Sequence, residues 1–205
     1  MKRGLFITLE GPDGAGSSTQ TDLLSKWLEK RGQKVFVTKE PTNSMVGGII
    51  RVILKKEWKV DPVTFALLFA ADRAHHVNKE IKPLLRNGVH VISDRYILST
   101  LAFESDHVNF EWLKLINKKF PRPDLTFILN VPGKICAERI ANSRFGFEYF
   151  ETPEKLEAVR ENYLKLKNHF PNTHVIRGYG RNKQKVHEEI VKIVKGFCKE
   201  RKIRI

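Results

Sequence analysis

Apolar and polar positions along the chain alternate between two rhythms. Short, near-continuous apolar runs at Leu5 to Leu9, Val35 to Thr38, Val89 to Ser93, Leu125 to Val131 and His174 to Ile176 predict buried strands. Between them lie longer segments in which apolar residues recur at helical spacing. From Thr19 to Arg31 the stripe is Leu23, Leu24, Trp27 and Leu28, and Gly32 supplies a stop. From Pro62 to Arg86 it carries Phe65, Leu68, Phe69 and Ala71, then Ile81, Leu84 and Leu85, ahead of Asn87-Gly88. Pro83 predicts a kink or break there, because proline donates no backbone hydrogen bond. Apolar strands alternating with helices predict an α/β fold: a three-layer α/β/α arrangement with a five-stranded parallel sheet, and ligands at the carboxyl ends of the strands. No repeat, low-complexity tract or linker interrupts the pattern, so residues 1–205 read as a single domain.

The first strand leads into Glu10-Gly-Pro-Asp-Gly-Ala-Gly-Ser-Ser-Thr-Gln20. Gly11, Gly16 and Ser18 satisfy the phosphate-loop pattern G-x-x-x-x-G-K-[ST], but Ser17 stands where the lysine belongs. The glycines let backbone N–H groups curl around an anion at the positive end of the following helix. Gly11, Pro12, Asp13, Gly14, Ala15, Gly16, Ser17, Ser18 and Thr19 are therefore the expected ATP cradle. Ser17 offers only a hydroxyl where a cation would neutralise the outer phosphates, and losing one pre-organised donor costs about 3 kcal/mol unless another group replaces it. Taken alone, the stretch also fits a Gly/Ser-rich turn without a ligand.

The third strand ends in Ser93-Asp94-Arg95-Tyr96. Asp94, with Ser18, can hold magnesium directly or through water, and the planar fork of Arg95 can grip a phosphate. An isolated Asp-Arg pair is more often a surface ion pair; beside a phosphate loop it becomes a candidate site. Thr38-Lys39-Glu40-Pro41 adds a polar end to the second strand, and equally fits a turn before proline.

A net charge of +14 favours polyanionic partners, among them nucleic acid, an anionic membrane surface and phosphorylated small molecules. Cys136 and Cys198 lack C-x-x-C spacing, so both read as buried thiols of a protein in a reducing compartment. No run approaches the roughly 18 apolar residues of a spanning helix, and Lys2-Arg3 leads into a strand rather than a signal-peptide core. A soluble, cytoplasmic protein without membrane partners is expected.

In combination these elements resemble the thymidylate kinases, P-loop enzymes that transfer the terminal phosphate of ATP to dTMP for dTTP synthesis. The resemblance spans nearly the whole chain. The phosphate loop is followed in order by Thr38-Lys-Glu-Pro, by Leu68-Phe-Ala-Ala-Asp-Arg-Ala-His-His, by Asp94-Arg-Tyr with Ser99-Thr-Leu-Ala-Phe-Glu, and by Arg122-Pro-Asp-Leu-Thr. It implies a P-loop NTPase fold with a short lid over about residues 142–151. It further implies that Phe69 stacks on thymine, Arg73 bonds a base carbonyl, and Arg51 and Arg95 contact the monophosphate. Ser99, Thr100 and Phe103 approach the base and sugar, while Asp13 and Glu40 lie near the transferred phosphate and the metal. Magnesium on Ser18 and Asp94, and a homodimer formed through helices flanking the sheet, complete what the resemblance implies.

The chain departs from that family in several places. Phe103 and Glu104 stand where tyrosine and glutamine are usual, which leaves another deoxynucleoside monophosphate, such as dUMP, open as the acceptor. The lid carries Glu148-Tyr-Phe-Glu in place of a D-R-x-E element, and Asn130 replaces a common aspartate. Arg139 and Arg144, just upstream, are expected with Arg95 to supply the missing charge, which makes Asp13, Arg95, Arg139 and Arg144 the candidate catalytic residues. A nucleotide-binding protein without transfer activity stays open because of Ser17. The basic tail from Lys195 to Arg204 raises nucleic-acid binding, but no nucleic-acid motif accompanies it.

Overall fold

The computed structural model describes residues 3–142 and 152–205. Strands β1 (Phe6–Glu10), β2 (Val35–Lys39), β3 (His90–Asp94), β4 (Leu125–Asn130) and β5 (Thr173–Arg177) form one parallel sheet in the order β2-β3-β1-β4-β5. Helices α1 (Ser17–Glu29), α2 (Met45–Leu54), α3 (Pro62–His76), α4 (Lys82–Arg86), α5 (Ile97–Glu104), α6 (Phe110–Asn117), α7 (Gly133–Ala141), α8 (Pro153–Lys165) and α9 (Lys183–Glu200) connect and cover the strands. This is the expected P-loop NTPase type of α/β/α fold.

Two apolar layers hold the sheet. On one side Leu24 and Leu28 of α1 and Ile190 and Val194 of α9 pack on Ile7, Leu9 and Phe127; on the other Leu98 and Leu101 of α5 and Tyr163 of α8 pack on Phe6, Val91 and Ile128. Burial on both faces explains why the inner strands β1, β3 and β4 are continuous apolar runs, while the edge strands β2 and β5 are half-exposed. Each of the first three strands runs further than its apolar stretch and ends on a polar residue: Glu10, Lys39 and Asp94. Ladder hydrogen bonds carry the strand past the core, so the apolar pattern alone stops short of the chemistry.

Helix α1 begins at Ser17, two residues before the segment expected from Thr19, because Gly16 adopts φ +97° and turns the loop into the helix. Gly14, at φ +79°, lies against α7 so closely that a Cβ there would come within 2.6 Å of the Cys136 carbonyl. The kink expected at Pro83 takes the form of a π-helical segment, Val77–Ile81, just ahead of it. Cys136 and Cys198 are both free and buried. Among the described residues no helix is long and apolar enough to cross a membrane.

Candidate active site

The phosphate loop leaves the central strand and wraps a cavity of about 460 Å³ lined by Asp13 to Gln20, Asp94, Arg95 and Arg139, with Lys183 on its rim. Ser17 is buried in its wall, so no cation stands at the lysine position. Arg139, on α7, reaches the loop from the far side: Nη1 donates to the carbonyls of Gly14 (3.2 Å) and Ala15 (3.3 Å), and Nη2 to that of Gly178 (2.8 Å). The guanidinium thus ties the loop to the end of β5. Arg144, and the lid apart from Asn142, lie outside the described residues. Asn130 accepts from Arg160 Nε at 2.6 Å, so the position where aspartate is common is occupied by a satisfied neutral group.

Parallel pairing sets Leu9 of β1 opposite Asp94 of β3 and so brings the aspartate beside the start of α1. Ser18 Oγ donates a short hydrogen bond to Asp94 Oδ2, while Asp94 Oδ1 is buried without a hydrogen-bond partner. An orphaned carboxylate oxygen next to a hydroxyl is costly unless a cation or water completes it. The pair fits magnesium, which takes one or two protein oxygens and fills its shell with phosphates and water. No cluster of three or more acidic, histidine or cysteine ligands occurs among the described residues.

Arg95 follows Asp94 with φ +72°, a left-handed conformation unusual for a side chain of its size and found preferentially at functional positions. The turn sends its guanidinium over the sheet edge. Nη2 donates to Asp13 Oδ1 at 2.7 Å, Nη1 to Tyr163 Oη at 3.3 Å, and the group lies 5.1 Å from the centre of the Phe103 ring. Behind it, Ser99 Oγ lies 2.6 Å from Glu10 Oε2 and 2.8 Å from Tyr163 Oη. Burial dominates at Glu10 and pushes its carboxyl up to about 7, despite the Ser99 hydrogen bond and nearby Arg95.

A second cavity of about 290 Å³ opens beside the first and shares Asp13 and Arg95 with it. Phe65, Phe69 and Leu54 make its apolar wall; Glu40, Pro41, Arg73, Tyr96, Ser99, Thr100, Phe103 and Glu104 supply the rest. Helical spacing on α5 puts Ser99, Thr100, Phe103 and Glu104 on one face.

Arg73 is 1% exposed and pinned from several sides. Nε and Nη2 donate to Glu40 Oε2 at 2.9 and 2.7 Å, Nη2 also reaches Thr100 Oγ1 and the Tyr96 carbonyl, and Nη1 donates to Asn117 Oδ1. Glu40 Oε1 meets His76 Nδ1 at 3.1 Å, and His76 Nε2 meets Thr38 Oγ1 at 2.8 Å.

Glu40, expected in the acceptor site near the transferred phosphate and the metal, lines the second cavity with its carboxylate buried against Arg73 and His76. Lys39 is register-paired with Asp94, and the next residue along a strand turns to the opposite face of the sheet, away from Ser18. Arg51 donates to the Thr42 carbonyl, and α2 contributes Leu54 to the second cavity instead. Glu40, Phe69, Arg73, Arg95, Ser99, Thr100 and Phe103 all meet at the second cavity, with Asp13 on its border. Glu10, His76, Asn117 and Tyr163 support these side chains and were not anticipated in those roles.

Comparison with known proteins gives this geometry a family. The thymidylate kinase family model matches residues 9–190. The chain belongs to the thymidylate kinase family. A probable thymidylate kinase of Thermococcus gammatolerans is 42% identical over 200 residues, covering 93% of this chain and 96% of that protein. One from Pyrobaculum aerophilum is 44% identical over 160 residues, covering 78% of this chain and 81% of that protein. Among solved structures, a thymidylate kinase from Candida albicans is 26% identical with a TM-score of 0.82, covering 95% of this chain and 92% of that one. This thymidylate kinase family member carries Ser17 in the phosphate loop, the Asp94-Arg95 pair and a cavity lined by aromatic rings and a buried arginine.

Proposed function

We propose that the protein transfers the γ-phosphate of ATP to dTMP, giving ADP and dTDP. The observation that carries this reading is the pair of cavities meeting at Asp13 and Arg95, one walled by phosphate-loop backbone and the other by aromatic rings and a buried arginine. Phosphoryl transfer requires little covalent help from a protein; it requires two phosphates held in line and charge around them. Backbone N–H groups of Asp13 to Thr19 hold the donor's phosphates. Phe65 and Phe69 take the base, Arg73 meets its carbonyl, and Arg95 bridges the donor and acceptor sites. Ser18 and Asp94 would hold magnesium, which supplies positive charge to the donor phosphates when bound. The test is formation of dTDP and ADP in equal amounts by the purified protein.

For the missing lysine, we propose that Arg139 or Arg144, acting with Arg95, supplies the charge that Ser17 cannot. The three-carbonyl anchorage of Arg139 puts a cation on the loop itself. Alanine at both Arg139 and Arg144 is expected to lower kcat by more than the tenfold that about 1.4 kcal/mol represents; a loss within about threefold in steady-state assays would contradict it. Absence of the lysine also favours a second reading, binding without transfer, for which nucleotides would bind and no dTDP would form.

Helices α2 and α3 present Met45, Ile49, Val52, Val63 and Leu67 to solvent, with Met45 87% exposed. An apolar patch of this kind favours a homodimer through these helices. Sedimentation is expected to give the mass of two chains, and Leu67→Glu to give one; a monomeric wild-type protein would contradict it.

A further inference from the structure

The second cavity contains a carboxyl group that the proposed mechanism does not use. Glu104, in the last turn of α5, is 7% exposed and lines the cavity beside Thr100 and Phe103. Its backbone carbonyl accepts from the N–H groups of His107 and Val108, but among the described residues its carboxyl has no hydrogen-bond or ion-pair partner. Glu104 as a residue is more than nine-tenths buried, and its partnerless carboxyl faces a ligand-sized cavity, where a neutral form, water or a ligand must offset the cost of burying it.

The surrounding charges are already committed. Arg73 from α3 is held by Glu40, and Arg95 by Asp13. From α8, Tyr163 is taken by Ser99, and Lys165 by Asn162, whose Nδ2 also reaches Asp106. From α6, Lys114 pairs with Glu111, and Tyr96 donates to the Pro121 carbonyl. Among the described residues no ion pair joins a cation to Glu104, and burial alone pushes its carboxyl up to about 7.

We propose that Glu104 selects the nucleobase as a neutral carboxylic acid, accepting the ring N–H of an imide base on its carbonyl oxygen and donating its O–H to the adjacent base carbonyl. This rests on the second cavity being the acceptor site. Arg73 Nη1, after its bond to Asn117, keeps one hydrogen for the other base carbonyl. Together the two side chains present donor, acceptor, donor, which complements the carbonyl, N–H, carbonyl edge of thymine or uracil. Loss of the Glu104 proton converts that array to donor, acceptor, acceptor. The ionised form opposes the second carbonyl and instead complements the carbonyl, N–H, amino edge of guanine.

The experiment compares wild type with Glu104→Gln across about pH 6 to 8, measuring kcat/KM for dTMP and dGMP and, by calorimetry, dTMP binding. A single ionisation near 7 makes the wild-type value for dTMP fall about tenfold over that interval relative to the Gln variant, whose amide keeps a donor and an acceptor at every pH. Titrations of Glu10 and of the substrate phosphate cancel in the ratio. The wild-type preference for dGMP over dTMP should rise with pH. A constant wild-type to Gln ratio across the range, or a wild-type base preference that does not move, overturns the proposal. If Glu104→Gln does not fold, the wild-type preference decides alone. If no diphosphate forms at any pH, the kinase reading fails, and the pH dependence of dTMP affinity still tests Glu104 separately.

Discussion

Arg73→Ala is expected to be the most damaging single change at the site, lowering stability by about 3–5 kcal/mol and eliminating measurable dTMP binding. The reason lies in what remains. Glu40 is 4% exposed, and two of the guanidinium's hydrogen bonds satisfy its Oε2. Removing one partner of a buried ion pair leaves an uncompensated charge in a low-dielectric setting, and that cost exceeds the net value of the pair. For a chain of this length the loss corresponds to a fall in Tm of roughly 10 °C. Arg73→Lys should restore little, since one ammonium cannot reach Glu40, Thr100, Asn117 and the Tyr96 carbonyl together. Arg73→Met combined with Glu40→Gln should recover much of the stability without the binding. Thermal unfolding and dTMP calorimetry on the three variants separate the two contributions. An Arg73→Ala protein as stable as wild type would contradict the proposed role of the buried pair.

Arg95→Ala is expected to have the opposite profile: a loss of about a hundredfold to a thousandfold in kcat with little change in Tm. Asp13, its ion-pair partner, keeps a side chain that is 45% exposed, so water takes over when the guanidinium is removed. Under the proposed activity Arg95 faces both phosphates, and its contribution grows as charge develops between them. Steady-state kinetics with ATP and dTMP varied separately should show kcat falling far more than either KM changes. A rise in one KM with kcat intact would instead assign Arg95 to uniform binding of that substrate.

The contrast between these two arginines marks what could be read along the chain. Both lie in recognisable local patterns, Asp94-Arg95-Tyr96 at a strand end and Leu68 to His76 on a helix, and both were expected at the acceptor site. The partners that bury one guanidinium and leave the other at the mouth of both cavities were not legible. Asn117 reaches Arg73 from α6 and Tyr163 reaches Arg95 from α8, contacts that exist only once helices far apart in the chain pack on the same sheet face. The partners of Glu40 were not legible for a related reason: motif order put it at a strand end near the phosphate loop, and only the register of Lys39 with Asp94 decides which face of the sheet it enters. Glu10 was read as the first residue of the loop, whereas it closes β1 and is buried; a strand whose last residue is a buried carboxyl looks, in one dimension, like a strand that ended one residue earlier. The five-stranded parallel sheet was legible because continuous apolar runs admit few alternatives once helices separate them.

Under the proposed activity, a phosphate loop with serine at its lysine position still supports transfer to dTMP. The most direct measurement incubates the purified protein with ATP, magnesium and dTMP and quantifies ADP and dTDP together, because ADP alone would also arise from hydrolysis. Equal amounts of ADP and dTDP, formed over many turnovers, are the expected result. Saturable binding of ATP and dTMP with no dTDP would contradict it and would leave a protein that holds both nucleotides without joining their chemistry.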